Sequence, residues 1–255
     1  MFRTLGTSEH WRRIVALCTL AAAAFSACSR APDPATPVFQ PVRPVAEIRA
    51  EALAADPPAE EPPAAGFLAA EMVELRMLDS TIAYDIRYAT ANNFMGARFY
   101  ESAHALLRRP AAEALVRVHR RLAAGGLGLH VFDAYRPWHV TRMFWDATPP
   151  HLRDFVADPS RGSRHNRGAA VDLTLYWLSS GQPVEMVTKY DDFSERAHIG
   201  YEGGSPQQRR LRDLLRTSME AEGFTVYSLE WWHYDFEGWE RYRILNDTFE
   251  EMAER

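Results

Sequence analysis

Two stretches that lie far apart in this chain carry the side chains that most restrict its fold. Residues 163–172 contain His165 and Asp172, and residues 230–233 contain His233. Imidazole and carboxylate groups are typical ligands of a catalytic zinc ion, which takes three protein ligands and leaves a fourth position to water. We therefore predict that His165, Asp172 and His233 bind one zinc ion per chain. The two stretches must then meet in the folded domain.

Glu230 lies three positions before His233 and is the candidate general base. A carboxylate that is close to the metal without binding it can take a proton from water, whose pKa zinc lowers to roughly 7. In an extended strand, side chains three positions apart point to opposite faces. The prediction therefore requires a bend or bulge near Trp231 and Trp232.

The two motifs belong to a longer series of characteristic segments. The series comprises residues 84–90, 93–94, 132–137, 172–175 and 228–234. Over about residues 78–236 the chain resembles the D-alanyl-D-alanine dipeptidases of the VanX type, within the wider group of zinc D,D-peptidases. The resemblance implies hydrolysis of a D,D-dipeptide, with Glu230 activating the water and later protonating the leaving amine.

The resemblance also implies roles for four further side chains. Arg136 would face the carbonyl oxygen that becomes negatively charged, a task that suits a permanently charged guanidinium with fixed donors. Tyr88, Ser163 and Asp191 match positions that line the substrate pocket. Asp191 is the expected partner of the dipeptide's free ammonium group, which would favour a free dipeptide over a longer chain.

One position departs from the family's pattern. The family typically has Met-Gly ahead of the pocket aspartate, whereas this chain has Met186 and Val187. Valine is strained in the positive-φ conformations that glycine adopts, so we expect the local backbone to differ. Asp192 is therefore an alternative to Asp191.

The amino-terminal segment has the pattern of a bacterial export signal. Two arginines precede an apolar run over residues 14–25 that is too short to span a bilayer, and small residues then lead to Cys28. This end resembles the lipobox of lipoproteins. We predict a signal peptide over residues 1–27, a lipid on Cys28 and a periplasmic, membrane-anchored location. Secretion without a lipid is the alternative.

Composition predicts how the rest of the chain is organised. Alanine and proline dominate residues 28–66, which favours an extended tether that leads to a single domain over residues 67–255. Cys18 and Cys28 both lie outside that domain, which excludes disulfides and thiolate ligands from it. The net charge of −5 argues against nucleic-acid binding.

Periodicity predicts an α+β domain. Alternating apolar residues indicate a strand over residues 127–133 that ends close to Arg136. The other predicted elements are strands over residues 169–175 and 224–229 and helices over residues 110–123 and 206–222. We expect a central, mainly antiparallel sheet flanked by helices, with Asp172 and His233 brought together on that sheet.

Three functions are compatible with these residues. Hydrolysis of D-alanyl-D-alanine agrees best with the pocket side chains. A D,D-carboxypeptidase acting on peptidoglycan stem peptides agrees better with export, because dipeptide made for wall synthesis is cytoplasmic. A zinc-containing wall-binding module without activity is the third function. It needs neither Glu230 nor Arg136, and the sequence retains both.

Overall fold

A five-stranded sheet forms the centre of the computed structural model, which describes residues 39–69 and 71–254. The strands are β1 (Met72–Glu74), β2 (Ala83–Tyr84), β3 (Leu106–Arg108), β4 (Leu127–Asp133), β5 (Ala170–Trp177), β6 (Phe224–Val226) and β7 (His233–Phe236). The central sheet has the order β2-β4-β5-β7-β6, and only its β2–β4 pair is parallel. Strands β1 and β3 form a separate antiparallel pair. The predicted mainly antiparallel sheet is confirmed.

Helices cover this sheet and pack against one another. They are α1 (Val45–Leu53), α2 (Leu75–Leu78), α3 (Arg109–Ala123), α4 (Trp138–Ala147), α5 (Pro206–Glu220) and α6 (Phe249–Ala253). Helix α3 has proline in its first turn and buries Leu115, Val118 and Leu122, as its apolar stripe predicts. None of the helices within residues 39–69 and 71–254 has the length and apolar character needed to cross a bilayer.

Two predicted elements end earlier than expected. Helix α5 begins with a capping box between Ser205 and Gln208 and ends at Glu220, two residues before the predicted end. Strand β6 ends at Val226 rather than at residue 229, because the chain turns before it enters β7. This turn supplies the bend that the motif around Glu230 requires.

Strand register places three chemically important side chains side by side. Asp172 on β5 pairs with His233 on β7, and on its other side it faces Asp133 on β4. The β4–β5 register shifts between Val131 and Asp133, which is the signature of a bulge. A row of polar side chains therefore crosses three neighbouring strands of the sheet.

The prediction of an extended tether up to residue 66 is wrong for its later part. Residues 45–53 form helix α1, which packs on α4 and fully buries Ile48 and Ala52. Alanine has the highest helix propensity, so an alanine-rich composition suits a docked helix as well as a tether. The predicted signal peptide and Cys28 lie outside the described residues.

Candidate metal centre and substrate pocket

Two imidazoles and a carboxylate converge at the end of the central sheet. His233 Nδ1 lies 2.9 Å from Asp172 Oδ1 and 3.1 Å from His165 Nε2, and His165 Nε2 lies 3.3 Å from the same carboxylate oxygen. All three side chains are buried. The structure thus brings together the three residues predicted to bind a metal, as a compact set of ligand atoms.

Local structure explains how His165 reaches this point. It begins a short 3-10 turn, His165–Arg167, and Gly168 then adopts a φ of +66° that leads the chain into β5. Only glycine takes that conformation at little cost, which explains why this turn has glycine at its last position. The imidazole Nδ1 donates a hydrogen bond to the carbonyl oxygen of Ala134 at 2.6 Å. That bond leaves the lone pair of Nε2 facing the other two ligands.

His233 is oriented by a carboxylate that the sequence analysis did not identify. Its Nε2 lies 2.9 Å from Asp235 Oδ1, and Arg164 approaches the other oxygen of Asp235 at 3.5 Å. Metal-binding histidines commonly use their outer nitrogen in this way, which fixes the ring and raises its basicity. The i, i+2 spacing on β7, which places two residues on one face, is the signal that could have identified Asp235.

The electrostatics of this cluster favour a cation. Burial alone would raise the pKa of Asp172, but the hydrogen bonds and charges of His165 and His233 hold it well below its usual range. Burial lowers the pKa of His233, but the charges and hydrogen bonds of Asp235 and Asp172 together outweigh it and raise the pKa to about 10. Electron-rich atoms this close together need a positive charge between them, which a proton or a divalent metal supplies.

The second oxygen of Asp172 is held away from the ligand cluster. Tyr190 donates a hydrogen bond to Oδ2 at 2.8 Å, and a terminal nitrogen of Arg136 lies 3.7 Å from it. Asp172 therefore presents Oδ1 alone to the two imidazoles. Tyr190 was not among the predicted site residues, although it directly precedes the predicted pocket residue Asp191.

Glu230 lies in the turn that leads into β7. Its Oε2 lies 3.9 Å from His233 Nδ1, and only 13% of its side chain is exposed. The amide of His233 donates to the carbonyl of Glu230, so the chain is bent here as the predicted role requires. Burial raises the pKa of Glu230 to about 7, with Asp172 adding to the shift and His233 opposing it. A carboxyl with this pKa can accept and return a proton near neutral pH.

The two tryptophans of the motif are mainly packing groups. Trp231 and Trp232 are almost fully buried, and their rings meet edge to face with centroids 5.4 Å apart. Trp232 also lines the cavity beside Glu230. The two buried rings therefore shield this side of the site from solvent.

Arg136 is a buried cation with a fixed orientation. Its Nε and one terminal nitrogen contact Asp133 Oδ2 at 2.9 and 2.8 Å, and Tyr100 donates to the other oxygen of Asp133 at 2.8 Å. The guanidinium also lies over the rings of Tyr88 and Phe144, about 5 Å from each centroid. Asp133, which was not among the predicted site residues, stands three positions before Arg136 in the same segment.

The predicted pocket residues line a cavity of about 100 Å³ next to the ligand cluster. Tyr88, Ser163 and Asp191 all face it, together with Arg136 and Glu230. Its volume is far below the roughly 300–1,000 Å³ that drug-sized ligands occupy. The cavity is therefore suited to a very small substrate.

Asp191 occupies the pocket in a strained conformation. Its φ of +60° is the sole positive value among the non-glycine residues that the structure describes. Tyr88 donates to its Oδ1 at 3.2 Å, and the amide of Phe94 donates to its Oδ2 at 3.4 Å. Burial and the negative charges of Asp172 and Glu230 raise the pKa of Asp191 well above its usual range. A cationic group of the substrate would relieve that repulsion.

The alternative carboxylate, Asp192, does not line the cavity. Its oxygens accept hydrogen bonds from Thr188 and Ser194 within its own loop. Positive φ occurs at Asp191 itself, not at Val187, so the backbone adapts after the position where the family typically has glycine. The geometry favours Asp191 over Asp192.

Comparison with known proteins assigns the chain to a family. Residues 68–255 match the Peptidase_M15 family model, described as D-ala-D-ala dipeptidase. The chain belongs to this metallopeptidase family. The resemblance seen in the sequence motifs is therefore confirmed.

Individual relatives of this M15 chain carry the same description. The D-alanyl-D-alanine dipeptidase of Escherichia coli K12 is 35% identical over 179 residues, which cover 70% of this chain and 91% of the relative. The Enterococcus faecium enzyme of the same name is 37% identical over 172 residues, which cover 60% and 85%. A solved LD-carboxypeptidase structure, that of LdcB, covers 77% of this chain and 80% of its own at 16% identity, with a TM-score of 0.39.

The M15 match includes every residue predicted for the metal centre and pocket. It begins at residue 68, whereas the residues that the structure describes begin at residue 39. Residues 39–67 are therefore a structured addition upstream of the family domain.

Proposed function

We propose that this protein hydrolyses D-alanyl-D-alanine to two molecules of D-alanine, with a zinc ion held by His165, Asp172 and His233. One observation carries the proposal most strongly. Three convergent ligand atoms lie beside a largely buried glutamate whose Oε2 is 3.9 Å from His233 Nδ1. This arrangement has the components of metal-assisted hydrolysis.

The ligand set fits zinc. Two imidazoles and one carboxylate oxygen form the His₂-carboxylate combination used by catalytic zinc, and imidazole ligands do not suit magnesium or calcium. The outer hydrogen bonds to Ala134 and Asp235 hold the two rings in the required orientation. A zinc ion bound there would acidify water and polarise the scissile carbonyl.

Glu230 handles the proton in the proposed reaction. Its carboxylate takes a proton from the attacking water and gives it to the nitrogen of the leaving D-alanine, so water adds across the peptide bond with no other reactant. Low exposure keeps competing solvent away from the carboxyl group. A pKa of about 7 suits both directions of transfer.

Arg136 stabilises the negative charge that develops on the carbonyl oxygen. Asp133 holds the guanidinium in place through the 2.9 Å bond to Nε, so little reorganisation is needed during the reaction. Burial strengthens this interaction, because few water molecules screen it.

Asp191 selects the free amino terminus. Its pocket position, its buried carboxylate and the hydrogen bond from Tyr88 suit it to accept the ammonium group of a dipeptide. A blocked or extended amino terminus would leave that carboxylate without its cation, which is costly in a buried site. This preference separates a dipeptidase from a D,D-carboxypeptidase.

A substrate panel tests the proposal. Purified protein is incubated with D-Ala-D-Ala and with an acetylated tripeptide ending in D-Ala-D-Ala, each with and without a chelator followed by added zinc. We expect release of D-alanine from the dipeptide alone, lost with chelator and restored by zinc. Cleavage of the blocked tripeptide would instead identify a carboxypeptidase. Bound zinc without hydrolysis of either substrate would support the wall-binding module.

We also propose that the enzyme is exported and anchored through a lipid on Cys28. The sequence pattern of residues 1–28 supports this proposal. Metabolic labelling with a radioactive fatty acid should mark the wild-type chain and not the Cys28→Ser variant. Equal labelling of both would exclude lipidation at this residue.

A further inference from the structure

Residues 39–66, which we name the N-terminal strap, precede the family domain and contact its site region in two places. At one end, the ring of Phe39 packs on Phe94 and Phe193 with centroid distances of 5.8 and 6.0 Å. At the other end, Glu60 pairs with Arg167 at 2.7 Å. Arg167 belongs to the same short turn as the metal ligand His165.

Phe39 packs against two phenylalanine rings that line the cavity, Phe94 and Phe193, which we name the aromatic wall. The centroids of these two rings lie 5.0 Å apart. Phe193 also stacks on Phe155, another cavity residue, at 5.0 Å with an interplanar angle of 15°. Phe39 does not line the cavity itself, so it can act only through the rings that do.

The wall adjoins the ammonium end of the pocket. The backbone amide of Phe94 donates to Asp191 Oδ2 at 3.4 Å, and Phe193 follows Asp191 by two residues. A dipeptide whose ammonium group binds Asp191 would therefore place the side chain of its first residue close to Phe94 and Phe193.

Helix α1 fixes the strap near Phe39. The amide of Val42 donates to the carbonyl of Ala147 at 3.0 Å, at the end of α4. Ile48 and Ala52 are then buried against α4, which also carries the pocket residue Phe144. Burial of these apolar side chains stabilises the docked helix. The segment that carries Phe39 is thus held on α4, and Phe144 of α4 also packs against Phe94, with ring centroids 5.0 Å apart.

Glu60 fixes the other end of the strap. One of its oxygens pairs with Arg167, and the other accepts a hydrogen bond from the amide of Ile244 at 2.7 Å. The Glu60 side chain is only 15% exposed, which reduces solvent screening of the pair. The strap is therefore anchored on both sides of the site.

We propose that the N-terminal strap determines substrate specificity, with Phe39 as a positioning residue that holds Phe94 and Phe193 against the first side chain of the dipeptide. The proposal rests on the proposed D,D-dipeptidase function and adds a specificity element from outside the family domain. Without the Phe39 ring, Phe94 and Phe193 could move away from the cavity. Small substrates would then bind less well, and dipeptides with a larger first side chain would be better accepted. Glu230 and Arg136 do not contact Phe39, so the chemical step would be unaffected.

Kinetics of Phe39→Ala test this role. For D-Ala-D-Ala we expect KM to rise about tenfold, the effect of an imperfectly filled apolar pocket, with little change in kcat. The ratio of kcat/KM for D-Leu-D-Ala to that for D-Ala-D-Ala should rise by a similar factor.

Phe67→Ala is the matched control. Phe67 lies just after the strap and packs under the guanidinium of Arg243 at 4.5 Å, with no ring contact to the wall. It should leave KM and selectivity unchanged. Wild-type KM and selectivity in Phe39→Ala, or equal changes in the two variants, would overturn the proposal.

Hydrogen exchange of the free protein provides a readout that does not need activity. Amides around Phe94 and Phe193 should exchange faster in Phe39→Ala than in the wild type or in Phe67→Ala, while amides of β5 stay protected. If the alanine variant does not fold, Phe39→Leu supplies the same comparison with a smaller expected change. A wild-type protein without D,D-peptidase activity would refute the proposed function, whereas unchanged exchange would refute the role of the strap.

Discussion

The metal centre and the aromatic wall meet at one pocket, but they are built in different ways. Asp172 and His233 sit opposite each other in neighbouring strands, so main-chain hydrogen bonds of the sheet fix their separation. Phe94 and Phe193 lie outside the strands and helices, and Phe39, from a separate segment, packs against them. Two of the three predicted metal ligands are thus placed on strands, whereas the aromatic rings lie where sequence can change without disturbing the sheet.

The largest expected effect comes from removing the general base, which is neither a predicted metal ligand nor part of the aromatic wall. Glu230→Gln removes the proton acceptor while keeping size and packing, so kcat for D-Ala-D-Ala should fall by about 10²- to 10⁴-fold. Bound zinc, measured by elemental analysis, should stay at the wild-type level because Glu230 is not a ligand. Substantial turnover by this folded variant would contradict the assignment of the base.

Loosening the strap should affect the wall and spare the metal centre. Ile48→Ala opens a cavity under α1 and should cost about 2–5 kcal/mol, expressed mainly as local opening of the strap. Hydrogen exchange should accelerate in residues 45–53, while zinc affinity remains that of the wild type. Leu53→Ala is the control, because Leu53 lies in the same helix and is 56% exposed. A loss of zinc affinity in Ile48→Ala would show that the two regions are not separate.

Removing Asp235, the outer hydrogen-bond partner of His233, should weaken the metal centre and leave the aromatic wall unchanged. Asp235→Ala leaves the outer nitrogen without its 2.9 Å partner, so zinc affinity should fall by about 10- to 100-fold. Competition with a chelator measures this change. Asp235→Asn keeps a hydrogen-bond acceptor and should lose less affinity. Equal affinities for wild type and Asp235→Ala would rule out the orienting role.

The smallest expected effect concerns Oδ2 of Asp172, the oxygen that does not face the two imidazoles. Tyr190→Phe deletes the hydroxyl that donates to Oδ2 at 2.8 Å, which corresponds to about 1 kcal/mol and a roughly fivefold weaker zinc affinity. Tyr234→Phe is the control, since its buried hydroxyl has no hydrogen-bond partner among the described residues. A larger loss in Tyr234→Phe than in Tyr190→Phe would contradict this role.

Elements whose ends depend on nearby residues were predicted more accurately than elements that depend on contacts between distant segments. Strand β4 has the predicted bounds, and α3 begins one residue earlier than predicted, because apolar periodicity and proline or glycine at the ends are local signals. The end of β6 was predicted too late, since its residues are apolar enough for a strand and only the turn toward Glu230 ends it. Helix α1 of the strap was not predicted, because a short alanine-rich helix becomes stable only when it is buried against α4.

The sequence by itself determined the family of this protein and the chemical groups available to it: two histidines and Asp172 as the predicted ligands and Glu230 as the predicted base. These predictions follow from the types of residue and their order along the chain, which can be read without a structure. Tertiary structure alone revealed Asp133, Tyr190 and Asp235 as the groups that orient Arg136, Asp172 and His233. It also placed Phe39 behind the pocket wall. Asp133 and Asp235 are close in sequence to the residues they orient, but only the observed side-chain directions show these contacts. The contacts of Tyr190 and Phe39 depend on packing between distant segments, which no local pattern in the sequence encodes.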